Sequence, residues 1–345
     1  MAATQTDLPG AEQRALRDGC ALLDRSERGK LALTGAGAVE FLNGQVTNEL
    51  ADLRPGEGRY AAFLTPKGKM LGDLRILAVG SPGAEADAPP VELLLDTERS
   101  SLQALFDMIR RYKVGYDVEL HKRTVERGLL SLIGPESERV AGVASPLAAA
   151  SGIEPEESVW LLSTEHANTP VSRRGVDALA IRTDVGVDLL CDAADSERLT
   201  AALVERGAVA VSESAAEILR VESGRPRFGL DMDDTTIPQE AALNERAVNF
   251  TKGCYVGQET VARLHYRGKP NRHLRGLRLS APAATGDELH LGERVVGRVG
   301  SSVISPGLGP IALALVRREA EPGVTVAVGE HGVTAVVVEL PFHTC

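Results

Sequence analysis

Eight consecutive residues, Lys252-Gly253-Cys254-Tyr255-Val256-Gly257-Gln258-Glu259, gather an amine, a thiol, two glycines, an amide and a carboxylate. A cysteine reacts as its thiolate, which a nearby cation and the unpaired N–H groups of a helix N-terminus both favour. Lys252 lies two residues from Cys254, and residues 260–265 carry helical spacing. Gly253 and Gly257 would supply backbone conformations or close approaches that a side chain forbids. The competing reading is a tight turn whose thiol points into the core and is inert; the density of polar groups around Cys254 tips the balance toward function. Two further places carry chemistry. Residues 59–64 and 73–79 read as a hairpin around Thr65-Pro66-Lys67-Gly68-Lys69, so Tyr60 and Asp73 can face one pocket, although Asp73 by itself reads more readily as a solvated strand-end carboxylate. Glu222 ends a predicted helix, where the dipole disfavours an acid. It is either a working group or the ion-pair partner of Arg220, Arg225 or Arg227.

The elements that position these groups follow from periodicity. Residues 11–23 read as a helix and 30–34 as a strand. The glycine turn after it is not a dinucleotide fingerprint, because Glu40 stands at the third glycine and would repel a pyrophosphate. After the hairpin come a Gly/Pro/Ala/Asp loop (80–90), a strand (91–95), a helix (100–111, with Leu102, Leu105, Phe106 and Ile109 at helical spacing) and a strand (117–120). A second unit repeats this grammar with strands at 128–133, 159–162, 178–182, 187–191 and 208–211 and helices at 136–143 and 196–206, with a small, acidic loop over 144–158. The helices are too few for a doubly wound sheet, so the expectation is two α+β modules of ferredoxin-like type, about 1–122 and 123–268. Beyond Lys269 short strands alternate with Gly/Pro turns, which predicts a small antiparallel β-barrel over 269–345.

Composition narrows the function. Aromatics are 3% of the chain, too few for base-stacking platforms, and the net charge of −10 disfavours nucleic acid and anionic membranes as partners. No apolar run has the length of a membrane span, and residues 1–10 lack the features of a signal peptide. The four cysteines and seven histidines show no metal-type spacing. A cytoplasmic protein without a resident metal is expected.

The stretch Lys252–Glu259 resembles the K-G-C-[FY]-x-G-Q-E signature of the YgfZ family, folate-binding proteins related to the glycine-cleavage T-protein and linked to iron–sulfur cluster assembly and repair. Residues 28–30, 41–48, 67–69, 220–224 and 237–240 are similar to that family as well. The resemblance implies three domains around a central cavity that binds tetrahydrofolate or a one-carbon derivative. Tyr60, Asp73, Glu222 and Arg220 look like the folate-pocket residues. Leu71-Gly72-Asp73 departs from the T-protein's adjacent aspartates, and residues 182–187 lack its Gly-Glu acid. Two activities follow as expectations. One is a folate-dependent accessory factor serving iron–sulfur client or assembly proteins through Cys254. The alternative is a folate-dependent aminomethyl or one-carbon transferase in which Asp73 handles a proton.

Overall fold

A computed structural model of the chain describes residues 10–80, 88–144, 159–330 and 332–342. Most of the loops expected at 80–90 and 144–158, the first nine residues and Cys345 lie outside these.

Three large sheets carry the structure, beside a short parallel pair of Val143–Ala144 with Val159–Trp160. The first has five strands in the order Gly58–Leu64, Met70–Val79, Glu92–Thr97, Gly29–Thr34 and Glu119–Lys122, all antiparallel. Helix Leu102–Tyr112 lies on it because Leu105, Met108 and Ile109 recur at helical spacing. They pack with Phe41, Leu42 and Phe63 in one buried cluster. The expected hairpin, helix and closing strand are all present.

The second sheet has six strands in the order Asn168–Arg173, Val176–Arg182, Gly186–Asp192, Arg127–Ile133, Ala21–Asp24 and Val209–Ala210. Two of its strands depart from the sequence reading. The helix expected over 11–23 ends at Asp18, and Ala21–Asp24 is a strand. It pairs antiparallel with Arg127–Ile133 and parallel with Val209–Ala210. The run Cys20-Ala21-Leu22-Leu23 is apolar throughout and wholly buried, and a short apolar run has no period that separates strand from helix. The other is Asn168–Arg173, an edge strand interrupted by Pro170, which fits a position where a missing backbone donor is tolerated.

Six antiparallel strands close the C-terminal barrel in the order Arg272–Leu279, Gly309–Arg317, Arg294–Ser305, Glu288–Leu291, Thr325–Val328 and Val333–Val338. Alternation drives it: Thr325–Val328 reads exposed, buried, exposed, buried. The interior is aliphatic, with Leu289, Val299, Ala312, Ala314, Val326 and Val337. The α+β reading with a terminal barrel therefore holds. Among the described residues no helix is long and apolar enough to cross a membrane.

Candidate functional site

A cavity of about 210 Å³ opens between the five- and six-stranded sheets, walled by Tyr60, Asp73 and Arg75 of the first and Ile133 and Asp188 of the second. Helix Glu213–Glu222 and the turn after it close one side through Leu219, Arg220 and Arg225. The hairpin register sets Tyr60 opposite Arg75 and Ala62 opposite Asp73, so Tyr60 and Asp73 are diagonal neighbours on one face. The Tyr60 hydroxyl donates to Asp73 Oδ2, whereas Asp73 Oδ1 is buried without a partner. Burial pushes the Asp73 carboxyl up to about 6, with the Tyr60 hydrogen bond pulling it down. Burial and the adjacent Asp73 charge hold the Tyr60 hydroxyl well above its ordinary range, so it remains a donor.

Seven arginines and five carboxylates line the cavity, a local positive balance on a chain of net charge −10. Two of the arginines are structural. Arg75 bonds Asp96 at 2.7 Å and Asp188 at 2.6 Å, bridging the two sheets, and Arg28 grips Asp96 from the other side at 2.9 Å. Toward the mouth, Arg225 pairs with Asp184 at 2.9 Å. Arg246 pairs with Glu165 and stacks 5.1 Å from the Tyr60 ring centroid.

The remaining predicted residues part company. Arg220 lines the cavity, but its guanidinium is taken up by Glu217, Asp231, Ser301 and the Arg225 carbonyl. Glu222 is not in the wall; its Oε1 accepts from Ser305 Oγ at 2.5 Å and fastens the helix to the barrel. His166, which no spacing marks, is in the wall instead. Its loop geometry leaves no trace in residue periodicity.

None of the eight motif residues lines the cavity either. The motif does run into a helix, Gln258–Arg267, and Gly257 caps it at φ 85°, where a Cβ would stand 2.6 Å from the Thr65 carbonyl oxygen. Gly253 faces open space. Cys254 is exposed, whereas Cys20 and Cys191 are buried. Lys252 is not the cation beside that thiol. It is buried and its Nζ donates to the carbonyls of Asn43, Val46 and Asn48 and to Asn43 Oδ1, at 2.6–3.0 Å. Burial pulls its amine down to about 8, which leaves it largely protonated at neutral pH. Tyr255 packs into a core cluster with Leu64 and Met70, while Glu259 is exposed and pairs with Arg263 one turn on. Much of this motif is thus a clip that fastens residues 43–48. Lys252→Met is expected to cost about 3 kcal/mol by stranding buried acceptors, against about 0.5 kcal/mol or less for Glu259→Ala, as measured by urea denaturation. Among the described residues no group of three or more His, Cys, Asp or Glu is placed to hold a metal ion.

Comparisons with known proteins agree with this architecture. The model of the GCVT N-terminal domain matches residues 3–252, and that of the glycine cleavage T-protein C-terminal barrel domain matches 272–343. An aminomethyltransferase of Rubrobacter xylanophilus is 29% identical over 345 residues, covering 96% of this chain and 86% of the relative. One of Streptomyces avermitilis is 31% identical over 358 residues, covering 95% and 90%. The glycine cleavage system aminomethyltransferase T of Bartonella henselae has the same fold, with a TM-score of 0.79 at 23% identity over 97% of this chain and 89% of that one. With both domain models matched in order along the chain, this protein belongs to the glycine-cleavage T-protein family.

Proposed function

We propose that this protein is a folate-dependent one-carbon transferase of the aminomethyltransferase kind, with Asp73 and Tyr60 at its reacting centre. The observation that carries the reading is Asp73 Oδ1, a buried carboxylate oxygen with no partner in the wall of the cavity. Such an oxygen is stable only if a ligand or an ordered water completes it. The cavity is smaller than the roughly 300 Å³ at the low end of sites that enclose a drug-sized ligand. It therefore suits a heteroaromatic headgroup, with the anionic remainder of the molecule lying outward toward Arg225 and Arg246.

Bound tetrahydrofolate would supply the nitrogen that accepts the one-carbon unit. Asp73 is placed to take a proton from a donor seated beside Oδ1 and to stabilise positive charge developing there. Tyr60 fixes the carboxylate's other oxygen, and Arg246, stacked on its ring, holds that ring in place. Purified protein assayed with aminomethyl donors and tetrahydrofolate tests the reading. Turnover that falls steeply in Asp73→Asn and persists in Cys254→Ser is the expected pattern, and no turnover with any donor would sink it.

A second reading, the iron–sulfur accessory role of YgfZ-like proteins, is favoured by the exposure of Cys254 within the eight-residue signature. It expects the opposite pattern in cells. Cys254→Ser would fail to restore cluster-enzyme activity in a deletion strain, while Asp73→Asn would restore it.

A further inference from the structure

His166 is held beside Tyr60 in a backbone conformation that few non-glycine residues adopt. Its φ is 69°, in the left-handed region that strains a non-glycine residue. The placement is built by the surroundings. Its N–H donates to the Arg182 carbonyl at 2.9 Å. Its backbone leans on Gly58, where an added Cβ would stand 2.4 Å from the His166 carbonyl oxygen and 2.7 Å from the His166 Cβ. Two residues on, Asn168 ties the loop to the first sheet's approach, through Nδ2 to the Glu57 carbonyl at 2.8 Å and through its N–H to the Gly56 carbonyl at 2.7 Å.

What this construction delivers is an imidazole in the cavity wall, its side chain 7% exposed, with neither ring nitrogen hydrogen-bonded. The rings of Tyr60 and His166 lie 6.2 Å apart, tilted by 38°. Glu165 approaches Nε2 to 3.5 Å without bonding it, its carboxylate being engaged by Arg246. Burial, reinforced by the charges of Arg75 and Arg246, pushes the imidazole down to about 3. The ring is therefore neutral and carries one unused donor and one unused acceptor. A neutral ring gains little from a carboxylate or phosphate, which a cation binds better. It gains most from a neutral polar edge, because both buried nitrogens are otherwise left bare.

Building on the folate reading, we propose that His166 is a specificity-determining residue that hydrogen-bonds the neutral lactam-type edge of a heteroaromatic headgroup, the pterin being the example, opposite the Tyr60–Asp73 pair. The test compares full-length protein with His166→Phe, which keeps ring size and removes both nitrogens. Calorimetric titration uses tetrahydrofolate and, separately, the tetrahydropterin headgroup alone, with folding checked by circular dichroism. The variant is expected to bind both ligands about tenfold or more weakly and by a similar factor, as the loss of one buried hydrogen bond implies. In wild-type protein carrying ¹⁵N-histidine, one ring-nitrogen resonance of His166 is expected to shift on adding either ligand, a readout that holds even if the variant does not fold. Undiminished affinity in a folded variant, or ring-nitrogen signals unmoved while tetrahydrofolate binds, would overturn the inference and leave the folate reading standing. Failure of wild-type protein to bind tetrahydrofolate at all would remove both.

Discussion

Asp73→Asn is expected to lower one-carbon turnover by about two to four powers of ten, the range a positioned proton-transfer group supplies. Asparagine keeps the shape and can still accept from Tyr60, so the loss would isolate the charge and the basicity of Oδ1. The pH profile gives a second, independent readout. The Asp73 carboxyl stands near 6, so it is protonated below that value and ionised above it. Wild-type turnover should accordingly fall as the pH drops through about 6 and level off above it. The residual activity of the asparagine variant should lack that acid limb. A variant with wild-type turnover, or a wild-type profile flat between pH 5 and 7, would count against Asp73 as the working carboxylate.

The second large effect concerns stability. Arg75→Met is expected to destabilise the fold by about 3–5 kcal/mol, the cost of removing one partner from a buried ion cluster. Arg75 is held between Asp96 and Asp188, whose side chains are 8% and 7% exposed. Arg28 would remain on Asp96, but Asp188 would lose its partner in the cluster. Burial alone would raise the Asp96 carboxyl; Arg28 and Arg75 overwhelm it and hold the group well below the usual carboxylate range. A carboxylate whose folded pKa is depressed adds stability that is complete above its unfolded value of about 3.9 and drains away as the pH falls further. The wild-type protein should therefore lose stability steeply below about pH 4, and the variant less so. Urea titrations of both proteins at pH 7 and pH 3 measure this. A loss below 1 kcal/mol at pH 7 would mean that the cluster is not what joins the two sheets.

How far the sequence alone reaches depends on whether an element repeats with a period. The barrel was legible because strands such as Thr325–Val328 and Val333–Val338 alternate between turns, and helix Leu102–Tyr112 because its apolar residues fall on one stripe. Cys20-Ala21-Leu22-Leu23 has no period, and its pairing partners are more than a hundred residues away, so nothing local identifies it. The site divides the same way. Tyr60 and Asp73 meet because a hairpin fixes their register, which the turn residues announce. Lys252 is near Cys254 in sequence, yet its amine bonds residues two hundred positions earlier. Adjacency along the chain suggested a charge pair that the fold spends elsewhere. His166 was invisible for a related reason: its position depends on Gly58, in a strand of the other sheet more than a hundred residues earlier.

The strand Ala21–Asp24 is made early but finds its sheet late. Its two neighbours are Arg127–Ile133 and Val209–Ala210, so on the ribosome it waits while the whole five-stranded sheet is synthesised. Until residue 209 emerges, an apolar strand has an open margin that another nascent chain can occupy. Shortened versions of this protein that stop near residue 122 should thus be more prone to associate than their composition implies, and a working N-terminal fragment must extend past Ala210 before it can close on itself.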